Sequence, residues 1–317
     1  MDVIAVTGAS GLTGRFVVDR LLKSGRYKEI RLIDRIPSAR IGSDAVLLKH
    51  HVIDINDEGA LERALQGCAA VVHCAHAEMP WKYVDKEGTQ GIWRDNLTAT
   101  EILVDTMQRL GIKDLVHVGD AYSALPIEDN YGLGEHVFID YPRDYMLGDY
   151  GESRTRAEMY ARIACRKDSD SFHGVFLRPV HVHGEAGSSS WSSLMEMAEQ
   201  GNIPYIVGER RGMHQFFLER RVCSSLFSPK VAVSFEKSFL KHYIDYIKYN
   251  IGLSPSPNSL SYPMFRFLFA KTIGFSNRKQ RILLDFIPEV SQEESMKLSL
   301  QMSSEFPGSP RAAVRSG

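Results

Sequence analysis

The chain has 317 residues, 44% of them hydrophobic, which suits one large domain or two unequal ones with a sizeable core. Its formal net charge of -1 argues against a dedicated nucleic-acid surface, so no nucleic-acid partner is expected. The four cysteines, Cys68, Cys74, Cys165 and Cys223, have neither C-x-x-C nor zinc-ligand spacing, and we interpret them as reduced thiols of an intracellular protein.

The first predicted elements form a strand, a glycine-rich turn and a helix. Residues 3–6 have the pattern of a buried parallel strand, and residues 15–23 place apolar side chains on one helical face. Between them lies T-G-A-S-G-L-T-G, in which Gly8, Gly11 and Gly14 let bare backbone approach a pyrophosphate at the helix N-terminus. A glycine pattern alone is weak evidence, but its position between a strand and a helix indicates a nucleotide site.

The second predicted strand, residues 29–34, ends in Asp34, which lies 20 residues beyond Gly14. A carboxylate at this place can accept hydrogen bonds from the adenosine ribose and would repel a 2′-phosphate, so NAD is favoured over NADP. The adjacent Arg35 weakens that inference, because a guanidinium can hold a phosphate. The alternative for Asp34 is an acid in a strand-end turn.

Strands and helices continue to alternate through the N-terminal half. The predicted strands are residues 46–52, 69–75 and 114–119, and the predicted helices are residues 60–65 and 96–110. This alternation predicts an α/β fold with a doubly wound parallel sheet, whose ligands bind beyond the carboxyl ends of the strands. The glycine turn, Asp34, Ala75 and the segment after Gly119 should share that crevice. Asp54 is expected to accept a hydrogen bond from an adenine amino group, or to cap a helix.

Regularity decreases after the fifth strand. Residues 121–149 are expected to be irregular, and they precede a helix at 150–167 and a sixth strand at 174–177. His181 and His183 would share one face of an extended segment, but no third ligand stands at useful spacing, so packing is favoured over metal binding. The remaining predictions are a helix at 192–200, a strand at 204–208, an aromatic-rich helical cap over 231–275 and a disordered tail at 303–317. A membrane-surface contact is the alternative for the aromatic-rich segment.

Several motifs, in order, resemble those of the extended short-chain dehydrogenases, most closely the 3β-hydroxysteroid dehydrogenase/isomerase branch. They are T-G-A-S-G-L-T-G with Asp34, V-V-H-C-A at 71–75, D-N-L-T-A-T-E at 95–101, Y-G-E-S-R-T-R-A-E at 150–158, R-P-V-H-V-H-G at 178–184 and D-F-I-P-E-V-S-Q-E-E at 285–294. The resemblance implies a Rossmann domain over residues 1–185 that binds NAD and a smaller substrate lobe over residues 186–302. It also implies hydride transfer between NAD and a secondary alcohol or ketone of a steroid-like substrate.

The resemblance also implies a set of cofactor-binding residues. They are Gly8, Ser10, Gly11, Leu12, Gly14, Asp34, Asp54, Ile55, Ala75, Arg154 and Pro179.

The family's chemistry uses a tyrosine acid/base, a lysine four residues later and a serine at the end of the fifth strand. Tyr150 matches the tyrosine, Arg154 stands at the lysine position and Asp120 at the serine position. Tyrosine ordinarily titrates near 10, so a cation must stabilise the phenolate at neutral pH, whereas the Asp120 charge would raise the pKa of Tyr150. Arg154 stays charged, but its planar fork differs from an ammonium. Asp120 and Arg154 could instead pair with each other, and Ser123 is a replacement hydroxyl three residues late.

These departures leave two functions open: an altered dehydrogenase, or a catalytically impaired relative that binds NAD as a sensor or scaffold. A further departure lies near residues 218–235, where the sequence stops resembling the family and we expect a segment to be missing, as in a splice form or an erroneous gene model. The substrate lobe is therefore expected to be incomplete.

No signal-peptide pattern and no uninterrupted apolar stretch of about 20 residues is present. We expect an intracellular, cytoplasmic protein, with a peripheral contact to the endoplasmic reticulum membrane as an alternative. A homodimer is left open.

Overall fold

The computed structural model describes residues 2–38, 46–133, 141–180, 197, 205–207, 232–257, 259–276 and 282. The described residues fall into two compact units. The N-terminal unit is drawn from Met1–Pro80, Val84–Ile127 and Pro142–Val180, and the C-terminal unit from Trp81–Tyr83, Glu128–Tyr141 and His181–Gly317. The domain limits expected at 185 and 302 stay predictions.

The described strands and helices are numbered in chain order. The strands are β1 (Asp2–Thr7), β2 (Tyr27–Asp34), β3 (Leu47–Val52), β4 (Ala70–His73), β5 (Asp114–Val118), β6 (Asn130–Leu133), β7 (His173–Leu177), β8 (Tyr205–Val207), β9 (Ala232–Ser234) and β10 (Ile273–Phe275). The helices are α1 (Leu12–Ser24), α2 (Glu58–Leu65), α3 (Lys86–Trp93), α4 (Ala99–Arg109), α5 (Gly148–Lys167), α6 (Phe235–Asn250) and α7 (Tyr262–Phe265). Two π-helical turns, Arg94–Thr98 and Arg266–Ala270, follow α3 and α7.

The N-terminal unit is built on a six-stranded parallel sheet in the order β3-β2-β1-β4-β5-β7. The strand order reverses between β1 and β4, which is where a doubly wound sheet opens a crevice beyond its carboxyl ends. The predicted fold class and the six predicted strands are confirmed. The glycine turn follows β1 directly, so it lies at this switch point.

Both faces of the sheet are covered by apolar side chains. On one face, Leu61 of α2 and Leu103 of α4 pack with Val71 of β4, and on the other, Val18 of α1 packs with Ile30 of β2. Strands buried on both faces read as continuous apolar runs, which explains why residues 3–6 were predictable as a strand.

Two predictions about local structure were wrong in part. The helix predicted over 96–110 starts earlier, because Asp85 caps α3 by accepting a hydrogen bond from the amide of Gly88 at 2.7 Å, and a π-helical turn joins α3 to α4. The segment 121–149, expected to be irregular, contains β6, which pairs in parallel with β10. A strand this short carries too little periodicity to be recognised in the sequence.

The described part of the C-terminal unit contains α6, α7 and two small parallel strand pairs, β6 with β10 and β8 with β9. Aromatic side chains of α6 and α7 pack together: the ring centroids of Phe235 and Phe265 lie 5.9 Å apart, and those of Tyr243 and Tyr262 lie 5.5 Å apart. The predicted helical character of this segment and the strand at 204–208 are confirmed.

Several predictions fall outside the described residues. They are the histidines at 181 and 183, the helix at 192–200 apart from residue 197, the tail at 303–317, the motif at 285–294, and the gap near 218–235 up to residue 231.

Among the described residues, no helix is long and apolar enough to cross a membrane. The described cysteines, Cys68, Cys74 and Cys165, are free thiols.

Candidate cofactor and catalytic site

The turn between β1 and α1 is shaped by glycines that have no room for side chains. Gly8 has a φ of 65°, in the left-handed region, and a Cβ there would lie 2.6 Å from the amide nitrogen of Ala75. A Cβ on Gly14 would overlap the carbonyl oxygen of Gly8. The turn is closed by the amide of Gly11, which donates to the Gly8 carbonyl at 3.1 Å. These close approaches leave a bare backbone cradle at the start of α1.

The N-terminus of α1 is open toward an anion. Its N-cap is Gly11, which has no side-chain cap, and its first turn, beginning at Leu12, contains no acidic residue. The amide groups of this turn and the positive end of the helix dipole therefore suit a phosphate group.

Asp34 lies against the glycine turn at the end of β2. Its Oδ2 accepts a hydrogen bond from the amide of Ser10 at 2.9 Å, and its Oδ1 accepts one from the amide of Ile36 at 3.1 Å. The Ser10 hydroxyl donates to the carbonyl of Ile36 at 2.9 Å. The acid and the turn predicted from the sequence are thus brought together by direct contact.

The structure distinguishes the two aspartates that follow β3. Asp57, not Asp54, caps α2, by accepting from the amide of Ala60 at 3.0 Å, so the capping alternative for Asp54 is wrong. Asp54 accepts from the amide and the side chain of Asn56, both at 2.9 Å, while Ile55 is buried in the core.

Tyr150 and Asp120 meet at the end of β5. The Tyr150 hydroxyl, on the buried first turn of α5, donates to Oδ2 of Asp120 at 3.2 Å. Burial raises the pKa of Tyr150, the Asp120 charge raises it further, and the guanidinium of Arg154 opposes both effects. Burial also raises the pKa of Asp120, again against the influence of Arg154. The expected effect of Asp120 on the tyrosine is confirmed in direction.

Arg154 is buried four residues after Tyr150, and its Nη2 donates to the carbonyl of Val118 at 3.0 Å. Within the described residues no ion pair joins Arg154 to Asp120, so the alternative of a direct pair is not seen, although the Arg154 charge acts against the rise in the pKa of Asp120. The Nε of Arg154 is buried and has no hydrogen-bond partner in the part of the chain that the structure describes.

Ser123 and Pro179 contribute through the backbone around Asp120. The Ser123 hydroxyl donates to the carbonyl of Asp120 at 2.9 Å and thereby closes the turn after β5. The carbonyl of Pro179 accepts from the amide of Ala121 at 3.0 Å, which holds the segment after β7 beside this turn.

Sequence reasoning missed Asn96, which lies in the π-helical turn and connects two parts of the site. Its Oδ1 accepts from the amide of Ala77 at 2.8 Å, and its Nδ2 donates to the hydroxyl of Ser153 at 2.9 Å. Ser153 in turn donates to the carbonyl of Tyr150 at 3.1 Å. The signal available in the sequence is the place of Asn96 in the motif D-N-L-T-A-T-E.

A doubly wound parallel sheet with this glycine turn, an acid closing β2 and a tyrosine on α5 beside the end of β5 defines the class of short-chain dehydrogenases. The chain belongs to the 3-beta hydroxysteroid dehydrogenase/isomerase family, whose model matches residues 5–224.

One similar protein is the 3 beta-hydroxysteroid dehydrogenase/Delta 5-->4-isomerase of vaccinia virus (strain Copenhagen), 27% identical over 282 residues, which are 86% of this chain and 78% of the relative. A similar solved structure is UDP-glucuronic acid 4-epimerase from Bacillus cereus in complex with UDP-glucuronic acid and NAD, with a TM-score of 0.64, 16% identity and coverage of 96% of this chain and 100% of that one. A short-chain dehydrogenase/reductase superfamily protein from Agrobacterium tumefaciens with bound NAD has a TM-score of 0.59, 17% identity and coverage of 99% of each chain. At these identities the structural likeness establishes the fold.

Proposed function

We propose that the protein is an NAD-dependent oxidoreductase that interconverts a secondary alcohol and a ketone on a steroid-like substrate. The observation that carries the proposal is the contact between Asp34 and the amide of Ser10, which holds the ribose-binding acid against the phosphate-binding turn. Family membership and the vaccinia virus relative support a steroid-like substrate. The aromatic cluster of α6 and α7 is compatible with an apolar substrate lobe in the C-terminal unit.

The residues around the glycine turn fit NAD. The cradle at Gly8 and Gly14 would be filled by any side chain, and the uncapped start of α1 suits a diphosphate. Gly11, Ser10 and Leu12 would present backbone to the diphosphate, and Asp34 would accept from the adenosine ribose. Asp54, Ile55, Ala75, Arg154 and Pro179 would complete the cofactor site, and NAD would supply a hydride acceptor or donor when bound.

Tyr150 is the proposed acid/base, and its surroundings favour the protonated phenol. Asp120 accepts the phenolic hydrogen at 3.2 Å, and its charge works against formation of the phenolate. The protonated phenol is the form that gives a proton to a ketone, whereas alcohol oxidation requires the phenolate. Arg154 supplies a positive charge that lowers the pKa of Tyr150 and so favours the phenolate. Asp120 or Ser123 would orient the substrate oxygen.

The test compares Tyr150→Phe with Tyr160→Phe, which lies on the same helix and loses only a hydrogen bond to Asp105. NADH formation is measured with a panel of 3β-hydroxysteroids, and ketosteroid reduction is followed by loss of NADH. We expect Tyr150→Phe to lose at least about 100-fold in rate while Tyr160→Phe keeps the wild-type rate. Equal rates in both variants would contradict the role of Tyr150.

A second candidate function is a cofactor-binding relative without turnover, acting as a sensor or scaffold. The specific observation in its favour is the carboxylate of Asp120 where the family has a serine, next to an arginine where the family has a lysine. A wild type that binds NADH but is inert, together with an active Asp120→Ser/Arg154→Lys variant, would support this candidate over the competent enzyme.

We also propose that the outer side of α6 makes the peripheral membrane contact. Leu240, Ile244 and Ile247 of α6 and Ile251 directly after it follow one another at helical spacing, and all are more than 40% exposed. On the helix, lysines 237, 241 and 248 flank this stripe on one side and tyrosines 243 and 246 flank it on the other. Apolar residues between lysines and tyrosines suit the interface of an anionic lipid surface. A second copy of the chain is the competing occupant.

A further inference from the structure

Arg35, next to the proposed ribose-binding acid, is engaged by acidic side chains of two other segments. Its Nη2 donates to Oδ2 of Asp95 at 2.6 Å, and its Nη1 lies 3.8 Å from Oδ2 of Asp54. Asp54 follows β3, and Asp95 comes from the π-helical turn after α3. The guanidinium that could hold a 2′-phosphate is therefore directed to carboxylates.

Asp95 is the centre of this arrangement. Its Oδ2 accepts a hydrogen bond from Arg35, and its Oδ1 accepts one from Nε of Arg94 at 3.0 Å and lies 2.9 Å from Nη2 of the same arginine. The Asp95 side chain is only 15% exposed, whereas that of Arg35 is 50% exposed, so the acid is fixed and the arginine is the member that could move. The hydrogen bond to Asp95 is the first cause of the raised pKa of Arg35, followed by the charges of Asp95, Asp54 and Asp34.

This geometry changes what a 2′-phosphate would meet. Three carboxylates, those of Asp34, Asp54 and Asp95, act on Arg35, and two of them contact it. A phosphate would have to displace Asp95 from Arg35 and would face the remaining negative charge. Arg35 therefore does not weaken the preference for NAD as long as Asp95 is charged.

We propose that Asp95 is a specificity-determining positioning residue, which selects NAD over NADP by holding both Arg35 and Arg94. The inference rests on the proposed NAD site and adds a residue that acts through the arginines rather than by touching the cofactor. Removal of the Asp95 charge frees Arg35, which is adjacent to the ribose-binding acid and can then take up a 2′-phosphate, and it also releases Arg94.

The test is equilibrium binding of NADH and of NADPH, followed by the fluorescence of the reduced nicotinamide and independent of turnover. We expect the wild type to bind NADH at least about tenfold more tightly than NADPH, and Asp95→Asn to narrow this ratio by about tenfold or more. The matched control is Asp85→Asn, at the N-cap of α3, which should leave the ratio of NADH to NADPH affinity unchanged. The double variant Asp95→Asn/Arg35→Ala should recover most of the wild-type ratio, because Arg35, the arginine next to Asp34, is gone and only Arg94 is left free.

Arg35→Ala in the otherwise unchanged chain gives a test that does not depend on the folding of Asp95→Asn. We expect it to leave NADPH binding within about twofold of the wild type, since the arginine is already engaged. A tenfold loss would overturn the inference, as would an unchanged ratio in a folded Asp95→Asn protein that binds NADH. Failure of the wild type to bind either dinucleotide would overturn the proposed function, and the inference with it.

Discussion

The hydrogen bond between Tyr150 and Asp120 sets the proton chemistry available at the catalytic end of the site. Both groups have a raised pKa, so the pair keeps a proton at higher pH than isolated side chains would. Arg154 opposes the shift from a buried position, anchored on the carbonyl of Val118 rather than on the acid. The arrangement holds the phenol protonated at neutral pH.

Replacement of Asp120 by asparagine tests this electrostatic coupling. Because the negative charge raises the pKa of Tyr150, its loss lowers that pKa, and the rise of alcohol oxidation with pH should move to lower pH by about one unit or more. The rate of NADH formation is measured from pH 6 to pH 11. The control is Asp149→Asn, next to Tyr150 on α5, where the carboxylate accepts a hydrogen bond from Trp93. This variant should leave the pH dependence of NADH formation unchanged. A profile unchanged in Asp120→Asn would mean that the carboxylate does not govern the tyrosine.

At the scale of elements, the β1–α1 turn shows why particular glycines are required. Gly8 and Gly14 bring two backbone segments and the residues that follow β4 into contact, whereas a Cβ on Gly91 in α3 would meet none of the described residues within 4 Å. The three glycines look alike in the sequence, and only their surroundings distinguish them.

Gly14→Ala and Gly91→Ala form a matched pair. The first must displace the turn, because its Cβ would overlap the Gly8 carbonyl, so NADH affinity should fall at least about tenfold. The second should keep NADH affinity and raise the free energy of unfolding by up to about 1 kcal/mol, through the better helix propensity of alanine. Fluorescence titration and urea denaturation provide the two readings, and equal NADH affinity in both variants would contradict the role of the turn.

The exposed stripe of α6 predicts binding to anionic vesicles. The variant Ile244→Gln/Ile247→Gln should bind vesicles of phosphatidylserine and phosphatidylcholine with an affinity at least about tenfold lower, because two side chains no longer bury apolar surface. The affinity is measured by co-sedimentation with the vesicles. Ile163→Gln, at an exposed isoleucine of α5, is the control and should have no effect. Loss of a dimer in light scattering, with vesicle binding unchanged, would instead identify a second copy as the occupant.

The sequence predicted the sheet and the cofactor turn well, for identifiable reasons. The strands of the N-terminal unit are apolar runs between turns, and the turn, Asp34 and Tyr150 lie in recognisable local patterns. Arg154 was recognised by position, but its bond to Val118 could not be, because it depends on how α5 lies against β5. The same holds for Asn96 and for the contact of Asp95 with Arg35, since a π-helical turn shifts every later side chain around the helix axis.

At the scale of the whole molecule, the core of the N-terminal unit contains buried histidines whose protonation links folding to pH. His117 of β5 is 1% exposed, its ring lies 5.3 Å from that of His73, and neither of its nitrogens has a hydrogen-bond partner among the described residues. Burial lowers the pKa of His117 to about 3, helped by the charges of Arg154, Arg162 and Arg178. Burial likewise lowers the pKa of His73, whose ring nitrogens contact Thr7 at 2.7 Å and Thr100 at 3.0 Å.

A buried neutral histidine makes the fold sensitive to acid. The contribution of neutral His117 to the free energy of unfolding is fully present above its unfolded-state pKa of 6.5. It is lost as the pH falls from there toward the pKa of His117 in the folded protein. His117→Leu should therefore reduce the loss of unfolding free energy between pH 7.5 and pH 5.0 by about 2 kcal/mol, as measured by urea denaturation. His173→Leu, at an exposed histidine, serves as the control. An equal loss of unfolding free energy in the wild type and in His117→Leu would mean that His117 is not the source of the acid sensitivity.

The central claim is that a dinucleotide lies with its diphosphate on the backbone of the β1–α1 turn and its adenosine ribose on Asp34. A crystal structure of the full chain with NADH tests it most directly. We predict diphosphate oxygens within hydrogen-bond distance of amides at the start of α1, and ribose hydroxyls donating to the Asp34 carboxylate. Electron density for NADH elsewhere, or a side chain filling the cradle at Gly8 and Gly14 in its place, would contradict the account.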